Sequence, residues 1–84
     1  MHTRKRIGCL VNLAGAQIYK VHLVGDTVEI GIPYEVTHRV SITVPREDLL
    51  TDTDRQTIES AARKRLEILE GDRWMWCEGV FCEA

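Results

Sequence analysis

The side chains with chemistry to offer are three thiols, Cys9, Cys77 and Cys82, and three imidazoles, His2, His22 and His38. Cys77 and Cys82 form one loose pair, whereas structural zinc takes tight C-x2-C pairs, usually two of them, and no histidine stands at a matching spacing. The pattern predicts no metal site and no cofactor. Nucleophilic catalysis needs a Cys or Ser beside a histidine that a third group orients, and nothing local sets up such a pair. Gly-x-Ser-x-Gly, a phosphate-cradling Gly-rich loop and His-Glu-x-x-His are all missing from the sequence. The chain reads as a non-enzyme. One alternative stays open, a small thiol-redox or metal-binding protein using Cys77, Cys82 and a histidine. Cys77 and Cys82 can bridge only if a tight hairpin makes them face each other; three reduced thiols behaving as small hydrophobes is the preferred reading.

Four carboxylates, Glu47, Asp48, Asp52 and Asp54, crowd the start of the predicted helix. Capping and complementarity to the helix dipole account for them without a function. Their functional reading is an acidic patch that docks on a basic, nucleic-acid-binding surface of another protein. The C-terminal segment is the most unusual one. Trp74, Met75, Trp76 and Phe81 cluster there in a chain holding only two Trp, two Tyr and one Phe. Trp74 and Trp76 share one strand face, with Met75 and Cys77 on the other. Trp and Met are enriched where proteins meet, so Trp74 and Trp76 join the four acids as candidate interaction residues. The plain alternative is a strand whose Trp face packs on the helix.

The elements that must position these residues follow from hydrophobic period. Residues 4–13 read as a first strand, with a turn at Ala14-Gly15-Ala16. Gln17–Val24 alternates, Tyr19, Val21 and Leu23 against Lys20 and His22, the period of a half-buried strand. Gly25-Asp26 is a two-residue hairpin signal, and Val28, Ile30 and Ile32 continue the apolar face. Pro33 marks an edge, a bulge or the strand's end, leaving Tyr34–His38 as strand continuation or loop. Arg39–Val44 alternates again. His22 and His38 are expected on polar strand faces. From Pro45 the period changes. Thr53 with Gln56 has capping-box spacing, Ile58, Ala61, Ala62, Leu66 and Leu69 recur at helical spacing, and Gly71 supplies the stop. A last strand follows, or two short ones joined at Glu78-Gly79. The expected fold is therefore α+β. An antiparallel sheet of four to six strands, in the order β-β-β-β-α-β, carries one amphipathic helix at about 53–70 on one face, all within a single domain over residues 1–84.

Composition narrows the function. With 44% hydrophobic residues and a net charge of −2, the chain is not disordered. Nucleic-acid binders show a basic stripe and a high pI, and the pI here is about 5.9. Direct nucleic-acid contact is disfavoured, although the Arg4-Lys5-Arg6 arm can touch phosphates. No apolar stretch reaches the ~18 residues of a membrane span. Arg4–Ala16 has the outline of a signal peptide, but Gly8, Asn12 and Gly15 interrupt its short apolar part, so a cytoplasmic protein is expected. In general character the chain resembles the stand-alone accessory proteins of phages and mobile elements, anti-CRISPR inhibitors among them; that likeness rests on no motif and carries over no residue. The expectation is a non-enzymatic protein-interaction module, an inhibitor or adaptor. The third class is a structural subunit of a homo-oligomer, most simply a dimer closed through an edge strand.

Overall fold

The computed structural model describes residues 4–14, 17–43 and 50–78. Five strands, β1 (Arg4–Asn12), β2 (Ile18–Val24), β3 (Thr27–Ile32), β4 (Glu35–Ser41) and β5 (Trp74–Cys77), form one antiparallel sheet in the order β4-β3-β2-β1-β5. Among the described residues one helix, α1 (Asp52–Glu70), lies between the two edge strands in sequence, crosses one face and is followed by β5 at the other edge. The protein is an α+β fold; among the described residues the helix covers one sheet face and no element packs on the other, the uncovered face.

Alternation fixes which residues go under the helix. Tyr19, Val21 and Leu23 of β2 and Val28 and Ile30 of β3 are buried against Ile58, Ala62 and Leu66 of α1. The β2–β3 hairpin closes through Gly25-Asp26, with Val24 opposite Thr27 and Gly25 at φ 64°. Glycine in the first central position at positive φ suits the right-handed twist of the flanking strands.

Two bulges set the rest. In β1 the register jumps between Arg6, opposite His22, and Gly8, opposite Val21, so Ile7 is the extra residue. A bulge reverses the facing of everything after it, which lets both Ile7 and Leu10 enter the core although three positions separate them. In β4 the register jumps at Thr37: Gly31 faces Val36 and Ile30 faces His38. The Thr37 hydroxyl donates to the Ile30 carbonyl at 3.0 Å. Pro33-Tyr34 forms the β3–β4 turn, with Tyr34 at φ 67°, so β4 begins at Glu35 rather than Arg39. The expected strand at 39–44 is the second half of this element, and Val44 lies outside the described residues. His38, expected on a polar face, sits on the helix face: it shares the parity of Val40, two residues on, with no bulge between them.

The helix begins two residues earlier than its predicted capping box. Thr51 is the N-cap: its hydroxyl accepts from the Asp54 N–H at 3.1 Å, and the Asp54 carboxylate accepts from the Thr51 N–H at 3.0 Å. Asp serves here because its carboxylate reaches back as Glu does in the common box. Thr51→Ala should lower stability by about 1 kcal/mol, read as a shift in the denaturant midpoint with unchanged slope. The Glu59–Arg63 pair one turn apart forms at 2.7 Å, and Gly71 at φ 72° ends the helix.

Candidate functional site

The expected interaction residues divide by position. Glu47 and Asp48 lie outside the described residues. Asp52 is exposed, and Asp54 is half-buried and engaged in the cap. Trp74 and Trp76 do share one face, the helix face, opposite Asn12 and Leu10 of β1. Trp74 is only 5% exposed, donates its indole N–H to the Gly71 carbonyl at 2.9 Å and packs on Tyr19 with ring centroids 5.4 Å apart. Its indole belongs to the core. Trp76 is half-buried, packed at the core's rim, and its indole N–H reaches Glu78 Oε1 at 3.1 Å. Met75, 49% exposed, and Cys77 occupy the uncovered face.

Because β5 runs back along α1, its end returns to the helix start. Asp52, Arg55, Gln56 and Glu59 of the helix and Glu78 after β5 line one hollow of about 470 Å³. The acids at the helix start and the rim tryptophan therefore share a corner. Sequence reasoning did not assign Glu59 or Glu78 to this surface. The helical period marks Glu59 as one turn beyond Arg55, but only the return of β5 brings Glu78 alongside.

A second arrangement escaped the sequence altogether. Tyr19 of β2 donates its hydroxyl to Glu70 Oε1 at 2.8 Å, and His38 Nε2 of β4 lies 3.9 Å from the same oxygen. The Tyr19 and His38 rings meet edge to face at 6.1 Å. A signal was available: an acid in the last helical turn opposes the helix dipole, and α1 has no base there, so Glu70 needs a specific partner. A tyrosine on a core face likewise needs one for its hydroxyl. The cluster clamps the end of α1 to the sheet. Burial, the hydrogen bond to Glu70 and the charges of Glu70 and Glu35 push the Tyr19 phenol up to about 12, so it stays protonated at neutral pH and is no base.

An unfolded tyrosine ionises near 10. The folded value is higher, so this contribution to stability is complete below pH ~10 and is lost as pH rises from there through about 12. In a Tyr34→Phe background, phenolate absorbance should report Tyr19 alone, with its midpoint near 12 and lower in Glu70→Gln. A midpoint at the ordinary tyrosine value would remove the clamp.

The uncovered face carries a different chemistry. Arg6, His22, Glu29 and Arg39 stand in one row across β1, β2, β3 and β4, with Lys20 and Arg4 in the flanking rows. Glu29 pairs with Arg4 at 2.5 Å and with Arg39 at 3.5 Å. Burial first, then the charges of Arg4 and Arg6, hold the His22 imidazole below its usual value. Cys9 and Cys77 are direct cross-strand neighbours on this face, and Arg6 reaches toward Cys9 Sγ at 3.6 Å. Cys82, the other member of the expected pair, lies outside the described residues. No group of three or more His, Cys, Asp or Glu able to hold a metal ion occurs among the described residues. No helix among them is long and apolar enough to cross a membrane. Comparison with protein-family models, curated proteins and solved structures finds no match to this chain.

Proposed function

We propose that the chain is a non-enzymatic protein-interaction module, an inhibitor or adaptor that works by surface contact, and that its acidic corner is the contact surface. The observation that supports this reading is the meeting of Asp52 and Glu59 of the helix with Glu78, from beyond β5, around one hollow that also holds Arg55, beside the half-buried Trp76. Carboxylates gathered at one corner steer encounter with a basic partner. An indole at their edge offers the large contact area on which binding energy concentrates. Asp54 adds charge to the corner, while its carboxylate stays occupied by the cap.

The test is an Asp52→Lys/Glu78→Lys double variant, which reverses two charges and leaves the Thr51–Asp54 cap intact. A partner captured by the wild-type protein should associate about tenfold more slowly with the variant, with a weaker dependence on salt. Its melting temperature should change little. An unchanged rate and unchanged salt dependence would remove the corner from the contact.

A further inference from the structure

Four cationic or imidazole side chains, Arg4 and Arg6 of β1 and Lys20 and His22 of β2, line a hollow of about 290 Å³ on the uncovered face. The β3–β4 turn, Pro33-Tyr34, forms its wall. Gly31 makes this wall possible. A Cβ there would stand 2.1 Å from the Glu35 carbonyl oxygen and 2.9 Å from the Val36 Cα. Gly31 faces the uncovered side with Lys20, so the hairpin tip arches over that side at the one residue with no side chain.

Among the described residues, the charges around the hollow are mostly positive. Arg4, Arg6 and Lys20 face His22 from β1 and β2, Glu29 faces it from β3, and Arg39 stands beyond Glu29 on β4. Among the described residues Glu29 is the one acid in this set, and its two oxygens are engaged by Arg4 and Arg39. That engagement places the Arg4 guanidinium at the hollow's rim. Arg4 Nη2 also lies 3.4 Å from His22 Nδ1. A guanidinium only donates, so Nδ1 is the acceptor and the neutral ring carries its proton on Nε2. Like charges gathered around a half-buried imidazole raise one another's energy, and an anion between them relieves it.

We propose that this hollow binds the phosphate group of a phosphorylated small molecule or of a nucleic-acid strand. The donors come from several positions on two strands, which suits a tetrahedral oxyanion with oxygens in several directions. A planar carboxylate is satisfied by one guanidinium fork. The volume is near the lower end of small-ligand sites, about 300 Å³, enough for a phosphate and part of the group that carries it. The site is separate from the acidic corner and does not depend on it.

The test is an NMR titration of the full chain, following the His22 imidazole and the backbone amides at constant ionic strength. The probes are inorganic pyrophosphate, a short oligothymidylate and, for comparison, hexaglutamate. Pyrophosphate should bind saturably, shift Lys20, His22 and Gly31, and raise the pH at which His22 takes up its proton. Lys20→Gln and Arg4→Gln should each weaken binding about tenfold, whereas Arg55→Gln, on the helix, should leave it unchanged. Oligothymidylate binding tighter than pyrophosphate assigns the phosphate to a strand; equal or weaker binding assigns it to a small molecule. The proposal fails if neither phosphate probe saturates at millimolar concentration, if hexaglutamate binds as tightly as pyrophosphate, or if both hollow variants bind like wild type. Amide spectra show that the variants are folded, and two independent substitutions keep the test decisive if one is not.

Discussion

Trp74→Ala should destabilise the domain by about 3–5 kcal/mol, the range for deleting a large aromatic from a core. A chain of this length has about 4–13 kcal/mol in total, so this one change removes from about a quarter of the stability to all of it. Three losses combine. The indole is 5% exposed and packs in the cluster that joins the sheet to Ile58, Ala62 and Leu66. Its contact with the Tyr19 ring disappears. The Gly71 carbonyl loses the donor that ties the helix end to the start of β5. Trp76→Ala, by contrast, removes a half-buried ring at the rim and should cost about 1–2 kcal/mol. Urea denaturation separates the two, and a Trp74→Ala midpoint close to wild type would mean that this indole does not hold the core.

The same contrast decides how an interaction surface can be mapped. A binding assay on Trp74→Ala mixes lost binding with lost stability, whereas Trp76→Ala leaves a folded protein whose acidic corner has lost its indole. Trp76 is thus the informative tryptophan, although sequence pattern treats the two alike. Both fall on one strand face, and period two cannot tell the middle of a face from its rim.

Other parts of the fold were legible for a definable reason. The β2 alternation, the Gly25-Asp26 turn and the apolar stripe at Ile58, Ala62 and Leu66 depend on local period and local turn chemistry, which the sequence carries directly; Leu69, expected in the same stripe, is exposed. The bulges do not. Ile7-Gly8-Cys9-Leu10 fits neither strand parity, and only the extra residue opposite β2 reconciles it. His38 lies under the helix because it is two residues from Val40 on the same unbroken stretch of β4; the bulge at Thr37 only frees Val36 and Glu35 from that parity. The helix start moved to Thr51 because Asp54 completes the box from a position where Glu or Gln was sought. The acidic corner was half-legible: its helix half is contiguous in sequence, and Glu78 joins it only through the return of β5. The basic hollow was not legible. Its cations are spread over two strands, and a chain-wide pI near 5.9 conceals a face that gathers them.

Gly31→Ala should be more damaging than Gly8→Ala, because what its methyl would meet cannot move alone. The nearest atoms are backbone, the Glu35 carbonyl oxygen at 2.1 Å, the Val36 Cα at 2.9 Å and the Glu35 carbonyl carbon at 3.0 Å. Relief requires the β3–β4 hairpin to lift from the sheet, against the ladder between Ile30–Ile32 and Glu35–His38 and against the Thr37–Ile30 bond. The expected cost is about 3 kcal/mol, the upper end for overpacking. Gly8→Ala is the instructive comparison. Its methyl would meet the Trp76 ring, at 2.3 Å from Cζ2 and 2.8 Å from Cε2 and Cη2. A half-buried side chain can swing outward, so this variant should lose about 1–2 kcal/mol and show altered Trp76 fluorescence with the sheet intact. The two substitutions also part functionally. Lifting the hairpin removes the wall of the basic hollow, so any Gly31→Ala protein that remains folded should lose pyrophosphate binding, while Gly8→Ala should keep it. Equal phosphate affinity in the two variants would show that the arch over Gly31 is no part of the site.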